Sequence, residues 1–193
     1  MKAPIDRVLF ASGNRGKYDE AAMLFAPFGV ELLFGPDVLM LEVDESGVSY
    51  HVNAWLKARA YSNATGMASL ADDSGLEIYA LDGAPGLLSA RLAPSNEERI
   101  ELVLDRLKGI SDRSASFIAS LALYLPSGAC VITEGICRGE ITEAPSGELG
   151  FGYDPIFRPL GCGRTFGQMT ERAKRAISHR ALASFRLLGI LFG

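Results

Sequence analysis

Two adjacent carboxylates, Asp72 and Asp73, follow the apolar run Met67-Ala68-Ser69-Leu70-Ala71 and precede Ser74-Gly75. Like charges side by side are costly unless a cation or hydrogen-bond donors compensate them. Hard carboxylate oxygens suit Mg2+, which keeps part of its water shell and shares the phosphates of a substrate. One aspartate of such a pair could hold the ion and orient an attacking water. A turn in which Asp and Ser bond local backbone N–H groups would account for the same string.

Three further segments carry chemistry. In Ser12-Gly13-Asn14-Arg15-Gly16-Lys17, glycines let the backbone turn tightly, and a helix that follows favours an anion at its N-terminus. Lys17 adds a mobile point charge. This is not a Walker loop, because Tyr18 stands where Ser or Thr would be required. The metal must then be held elsewhere. A plain strand-to-helix turn is the competing explanation. In Gly150-Phe151-Gly152-Tyr153-Asp154-Pro155, glycines flank an aromatic on which a flat ligand could lie, and Asp154 could accept from a ring N–H. A hairpin loop with its aromatic in the core would look alike. In Lys174-Arg175-Ala176-Ile177-Ser178-His179-Arg180, Ser178 is a good N-cap for the last helix. His179 and Arg180 in its first turn oppose the helix dipole. An anionic or carbonyl-bearing ligand would explain them, as would a solvated basic turn.

The elements that must position these groups follow from periodicity. Residues 7–11 read as a buried strand. Ala21, Leu24, Phe25 and Phe28 recur at helical spacing over 17–28, closed by Pro27 and Gly29. A second strand is expected at 30–34 and a helix at 48–61. Strands at 67–71 and 76–80 would flank the aspartates, which then lie at the end of the first. An amphipathic helix is expected at 96–107, and strands at 114–124 and 129–136 joined through Pro126-Ser127-Gly128. Residues 138–142 would pair beside them, with helices at 170–176 and 179–188. The mixture predicts an α/β fold with one curved, partly antiparallel sheet and flanking helices.

The chain has 193 residues, which suits one domain or two lobes sharing a core. Hydrophobic residues make up 48% and charged residues 22%. A chain of this length buries roughly 70% of its unfolded surface, so it needs no disulfide or metal to fold. The net charge of −4 argues against a broad nucleic-acid-binding face. Cys130, Cys137 and Cys162 are odd in number and form no Cys-x-x-Cys pair, so they read as buried thiols in a reducing compartment. The N-terminal segment, residues 1–7, lacks a secretory apolar core. The longest apolar stretch, 117–125, is too short to cross a bilayer. A cytoplasmic, enzyme-like domain without nucleic-acid or membrane partners is expected.

Taken in order, these segments resemble the family of inosine triphosphate pyrophosphatases, also called dITP/XTP diphosphatases. The matching strings are Ser12 to Lys17, then Ala71-Asp72-Asp73-Ser74-Gly75-Leu76, Gly83-Ala84-Pro85-Gly86 and Ser89-Ala90-Arg91, then Gly150 to Phe157, and last Ile177-Ser178-His179-Arg180. The likeness covers nearly the whole chain, and the set at this spacing is highly specific. It implies one domain over residues 1–193, an elongated two-lobed α/β fold with a central cleft, a homodimer and a Mg2+ requirement. It implies hydrolysis of damaged purine nucleoside triphosphates (ITP, dITP, XTP) to monophosphate and pyrophosphate, which cleanses the nucleotide pool.

The resemblance also assigns residues. Ser12, Gly13, Asn14, Arg15, Gly16 and Lys17 would touch the triphosphate. Asp73 would be the general base and a metal carboxylate, and Ser74 would contact substrate. Phe151, Gly152, Tyr153 and Asp154 would hold the base, with Lys174, His179 and Arg180 completing the pocket. Lys57 matches a family lysine near the phosphates, and Arg91 is a further cation. A second metal carboxylate is expected after the second strand, at Glu45 with Asp44 as the alternative. A 6-oxo purine offers an acceptor at C6 and a donor at N1, which Arg180 or His179 and Asp154 could match, while adenine reverses both. One departure stands out. The family's Glu-Asn-Ala is Val52-Asn53-Ala54 here, which removes a carboxylate. The alternative functions are therefore a nucleotide-binding protein with little or no turnover, or a pyrophosphatase for other modified nucleotides.

Overall fold

The computed structural model of the chain describes residues 5–193. The beginning of the N-terminal segment considered above, residues 1–4, lies outside the described residues. The elements are β1 (Arg7–Phe10), α1 (Arg15–Phe25), β2 (Glu31–Phe34), α2 (Gly35–Val38), α3 (Tyr50–Thr65), β3 (Ser69–Ile78), α4 (Asn96–Arg106), β4 (Ser114–Tyr124), β5 (Cys130–Ile141), β6 (Phe157–Pro159), α5 (Glu171–Ile177) and α6 (His179–Phe192). The strands form one sheet in the order β2-β1-β3-β4-β5-β6. It is mixed: β1 runs parallel to β2 and β3, and β5 runs antiparallel to β6. The α/β class expected from the sequence is the class found.

The chain packs as two compact units. The first takes the chain up to Asp73 with Ala119–Gly135 and Arg180–Gly193; the second takes Ser74–Ile118 and Ile136–His179. Strands β3, β4 and β5 each contribute to both. In the first unit successive strand residues feed opposite faces, as the two-residue period of a strand requires. Val8, Phe10, Leu70 and Leu121 enter a cluster with Leu24 and Phe25 of α1 and Leu187 of α6. Leu9, Ala11, Ala71 and Ala122 enter a cluster with Ala54, Ala58 and Tyr61 of α3. Strands buried on both faces read as continuous apolar runs, which is why β1 was legible. Each large apolar side chain so buried contributes about 1.5–3 kcal/mol. The second unit has its own core, with Leu76, Ile78, Val103, Phe117, Ile141, Phe157 and Phe166.

Several expected boundaries move. Residues 67–71 and 76–80 are not separate strands: β3 runs unbroken over Ser69–Ile78. Asp72 and Asp73 therefore lie inside a strand and not at its end. Hydropathy stops at a charged pair, whereas here cations from other elements neutralise it. Likewise 129–136 and 138–142 are one strand, β5. Helix α1 starts at Arg15, with the Asn14 side chain accepting from the Lys17 N–H. Its α-helical part ends at Phe25, and a short 3-10 turn closes at Gly29, whose φ of 75° favours glycine. Helix α3 continues to Thr65. The short elements α2 and β6 have no counterpart in the sequence reading. The cysteines are not all buried: Cys137 is, Cys162 is partly so, and Cys130 is exposed. No helix among the described residues is long and apolar enough to cross a membrane.

Candidate active site

In the first unit, β3 sends its two aspartates to different partners. Asp72 is fully buried. Its Oδ2 accepts from Arg180 Nε at 2.8 Å, and its Oδ1 lies 2.8 Å from Lys17 Nζ. Arg180, from the first turn of α6, is 1% exposed and also pairs with Glu20 of α1. Burial alone would raise the Asp72 pKa, but attraction to Arg180 and Lys17 outweighs it and holds the carboxyl well below the usual carboxylate range. Burial pulls the Lys17 ammonium below its ordinary value; Asp72 opposes the shift, and Lys57 and Arg180 add to it. Burial also works against the charge on Arg180, yet Asp72 and Glu20 more than offset it and raise its pKa. Lys17, Glu20, Asp72 and Arg180 thus form one buried ionic network that starts in the first turn of α1.

Asp73 belongs to α3. Its carboxylate accepts from Lys57 Nζ at 2.8 Å and from Asn53 Nδ2 at 3.3 Å. Asn53 and Lys57 are four residues apart, hence on one helix face. Lys57 Nζ also donates to the Asp72 carbonyl at 2.9 Å and lies 3.3 Å from Glu45 Oε1. The loop that carries Glu45 is tied down by Gly47, whose N–H donates to Asn53 Oδ1 at 2.8 Å. A Cβ at Gly47 would meet Asn53 Oδ1 at 2.5 Å and Val52 Cγ1 at 2.8 Å, so this approach requires glycine. Val52, where the family pattern has a carboxylate, is 38% exposed. Of the two metal candidates, Glu45 shares Lys57 with Asp73, while Asp44 is exposed.

Among the described residues, no three His, Cys, Asp or Glu side chains gather as a metal cage. Glu45 and Asp73 already share one positive charge, the Lys57 ammonium, so the donor set fits a divalent cation completed by a substrate.

The second unit holds the aromatic loop. Asp154 is 2% exposed. Its Oδ2 accepts from the Phe151 N–H at 2.8 Å and from Lys174 Nζ at 2.5 Å. Lys174, on α5, lies 4.9 Å over the Phe151 ring and 5.5 Å over that of Phe166. Gly150 has a φ of 76°, and a Cβ there would collide with the Asp154 carboxylate. His179 stacks on Phe117 with ring centroids 4.6 Å apart and planes 10° from parallel. Arg91 is exposed and Ser74 half-buried.

Arg180 is almost wholly buried, with its Nε on Asp72 and its Nη1 on Glu20. Tyr153 is 4% exposed and its hydroxyl donates to the Ser89 carbonyl at 2.9 Å, so it anchors the loop from within the core. Arg15 is exposed, paired with Asp19 at 3.1 Å and stacked over Tyr18 and Phe34 at 4.9 and 5.1 Å. Asn14 caps α1, and Ser12 Oγ accepts from the Asn14 N–H at 3.2 Å. Sequence reasoning missed Glu20, Asn53, Phe117 and Phe166. Glu20 gave a signal, an acid set beside Ala21 and Leu24 on the helix face that packs inward. The chain passes between the units at Asp73–Ser74 and again at His179–Arg180, so each of these two motifs is split by a peptide bond.

The Ham1 family model matches residues 8–189. The chain belongs to the Ham1 family. Curated relatives of this Ham1 member include a dITP/XTP pyrophosphatase of Synechocystis, 43% identical over 182 residues, covering 94% of this chain and 93% of the relative. Another, from Prochlorococcus marinus, is 47% identical over 185 residues, covering 95% and 90%. Among solved structures, a HAM1 protein from Coxiella burnetii superposes with a TM-score of 0.86 at 38% identity, covering 96% of this chain and 98% of that one. The Staphylococcus aureus Ham1 protein gives 0.85 at 35%, covering 96% and 97%.

Proposed function

We propose that this Ham1 member hydrolyses damaged purine nucleoside triphosphates, such as dITP, ITP and XTP, to the monophosphate and pyrophosphate. The observation that carries the reading is the meeting of Lys17, Lys57, Asp72, Asp73 and Glu45 in one unit. There Lys17 pairs with Asp72, and Lys57 with Asp73 and Glu45, so ammonium groups that suit phosphate and carboxylates that suit a metal or a water are neighbours. Water attacks the α-phosphorus and pyrophosphate leaves. Lys17 and the N-terminal amides of α1 take the charge that builds on the leaving group. Asp73 takes the proton of the attacking water, oriented by Lys57 and Asn53. Glu45 and Asp73 would hold Mg2+, which when bound neutralises phosphate charge and polarises the water.

The second unit's residues hold the base. Phe151 offers its ring as a platform, with Lys174 beside it and His179 as donor to the 6-oxo group. The family resemblance further supports a homodimer, and the free thiols suit a reducing, cytoplasmic setting. The apolar Val52, where the family pattern has a carboxylate, favours one competing reading, a nucleotide binder without turnover. Hydrolysis of ITP in 18O-labelled water tests the chemistry. The label is expected in the monophosphate. Label in the pyrophosphate would place the attack on the wrong phosphorus, and binding without label in either product would favour the competing reading.

A further inference from the structure

A donor selects one acceptor over another only if its direction is fixed. A histidine side chain turns about two torsions, and the second is broad and roughly two-fold. Both ring N–H positions lie in the imidazole plane, so whatever holds that plane sets the directions in which the residue can donate. A hydrogen bond prefers a donor angle above about 150° and weakens steeply below about 120°. A histidine ring that rocks out of its plane therefore forfeits most of its discrimination while still filling the same space.

In the second unit Phe117, on β4, holds the plane of His179. Their ring centroids are 4.6 Å apart and their planes 10° from parallel, a stacked arrangement within the range aromatic pairs favour. His179 is 4% exposed and Phe117 7%. Phe117 is braced in its turn. Phe157 meets it at 4.6 Å with planes 59° apart, and Phe166 at 6.2 Å with planes 28° apart. Phe157 and Phe166 are fully buried and lie 5.4 Å from each other. Three rings in mutual contact, packed at interior density, leave none of them room to turn.

The same cluster carries the platform for the base. Lys174 Nζ lies 5.5 Å over the Phe166 ring and 4.9 Å over that of Phe151, and it pairs with Asp154. Contacts thus run from His179 through Phe117 and Phe166 to Lys174 and Phe151. The donor plane and the platform are parts of one frame.

We infer that Phe117 is a positioning residue for base selection. This rests on the reading of His179 as donor to the 6-oxo group. Phe117 acts through His179: it keeps the imidazole plane where an N–H meets a 6-oxo acceptor. Its loss should cost selectivity beyond any cost in packing.

The test compares kcat/KM for ITP with that for purine riboside triphosphate, which has no substituent at C6. It uses the native chain, Phe117→Leu, His179→Ala and the double variant. A packing defect lowers both nucleotides alike, so the ratio of the two reads recognition of the 6-oxo group. Phe117→Leu is expected to lower the ratio about tenfold, the worth of about one hydrogen bond. His179→Ala should lower it at least as far. The double variant should fall no further than His179→Ala, because a residue that acts through another has no separate effect once that one is gone. Thermal melts check that each variant folds; should Phe117→Leu not fold, Phe117→Met, whose flexible side chain fills irregular gaps, takes its place. Equal losses for both nucleotides in Phe117→Leu would make Phe117 a packing residue only and overturn the proposal. An unchanged ratio in Phe117→Leu beside a collapsed one in His179→Ala would also overturn it, with the base reading left standing. An unchanged ratio in His179→Ala would remove His179 as the donor, and the role of Phe117 with it.

Discussion

Asp73 lies between two donors, Lys57 Nζ at 2.8 Å on Oδ1 and Asn53 Nδ2 at 3.3 Å on Oδ2, so an amide there can keep its one oxygen for Lys57 and gives up only the longer bond to Asn53. Asp73→Asn should therefore fold normally and still lose turnover by at least about a hundredfold, the scale of a missing general base. Steady-state pyrophosphate release checks this, and near-normal turnover would remove Asp73 from the role. Asp72, its neighbour in sequence, does different work, since its charge is consumed by Lys17 and Arg180. Arg180→Met would leave Asp72 and Glu20 buried without the guanidinium between them. Loss of one partner from such a network costs about 3–5 kcal/mol, so the urea midpoint should fall sharply; an unchanged midpoint would show the network to be slack.

At the scale of elements, the aromatic loop holds itself together. The Asp154 carboxylate ties the Phe151 amide to Lys174 of α5, and Gly150 makes room for it. Gly150→Ala meets both a left-handed backbone and the Asp154 side chain. KM for ITP should rise about tenfold, the equivalent of about 1.4 kcal/mol of binding, with kcat less affected. Equal losses in kcat alone would place the loop in the chemical step. The same elements show what a sequence discloses. Strand β1, helix α4 and the order of the motifs were all legible, because local spacing determines them; the Ser95 and Glu98 capping box that starts α4 was not read. The unbroken β3 was not, because what permits two acids in mid-strand is supplied by Lys17, Lys57 and Arg180, distant in sequence. The inward anchoring of Tyr153 was not legible for a related reason: its string shows an aromatic near glycines but not the Ser89 carbonyl that draws its hydroxyl inward.

At the scale of the whole molecule, alkali should loosen the second unit's core. Burial pushes both the Cys137 thiol and the Tyr153 phenol up to about 12, Tyr153 against the opposing effect of Arg99 and Arg106. Both native values lie above the unfolded ones of about 8.5 and 10. Their contribution is complete below about pH 8.5 and is lost as pH rises toward 12, by roughly 1.4 kcal/mol for each pH unit a group spans. Urea titrations at rising pH should show that slope, and Tyr153→Phe should reduce it above pH 10; an unchanged slope would mean that the phenol ionises freely in the native state.

The proposed function predicts selectivity for the base, and kcat/KM for ITP against ATP at saturating Mg2+ measures it directly. With His179 as the donor proposed for the 6-oxo group, a 6-amino group would set donor against donor, so ITP should be preferred by at least about a hundredfold. Equal values for the two nucleotides, or tight binding of ITP with no pyrophosphate released, would contradict the account.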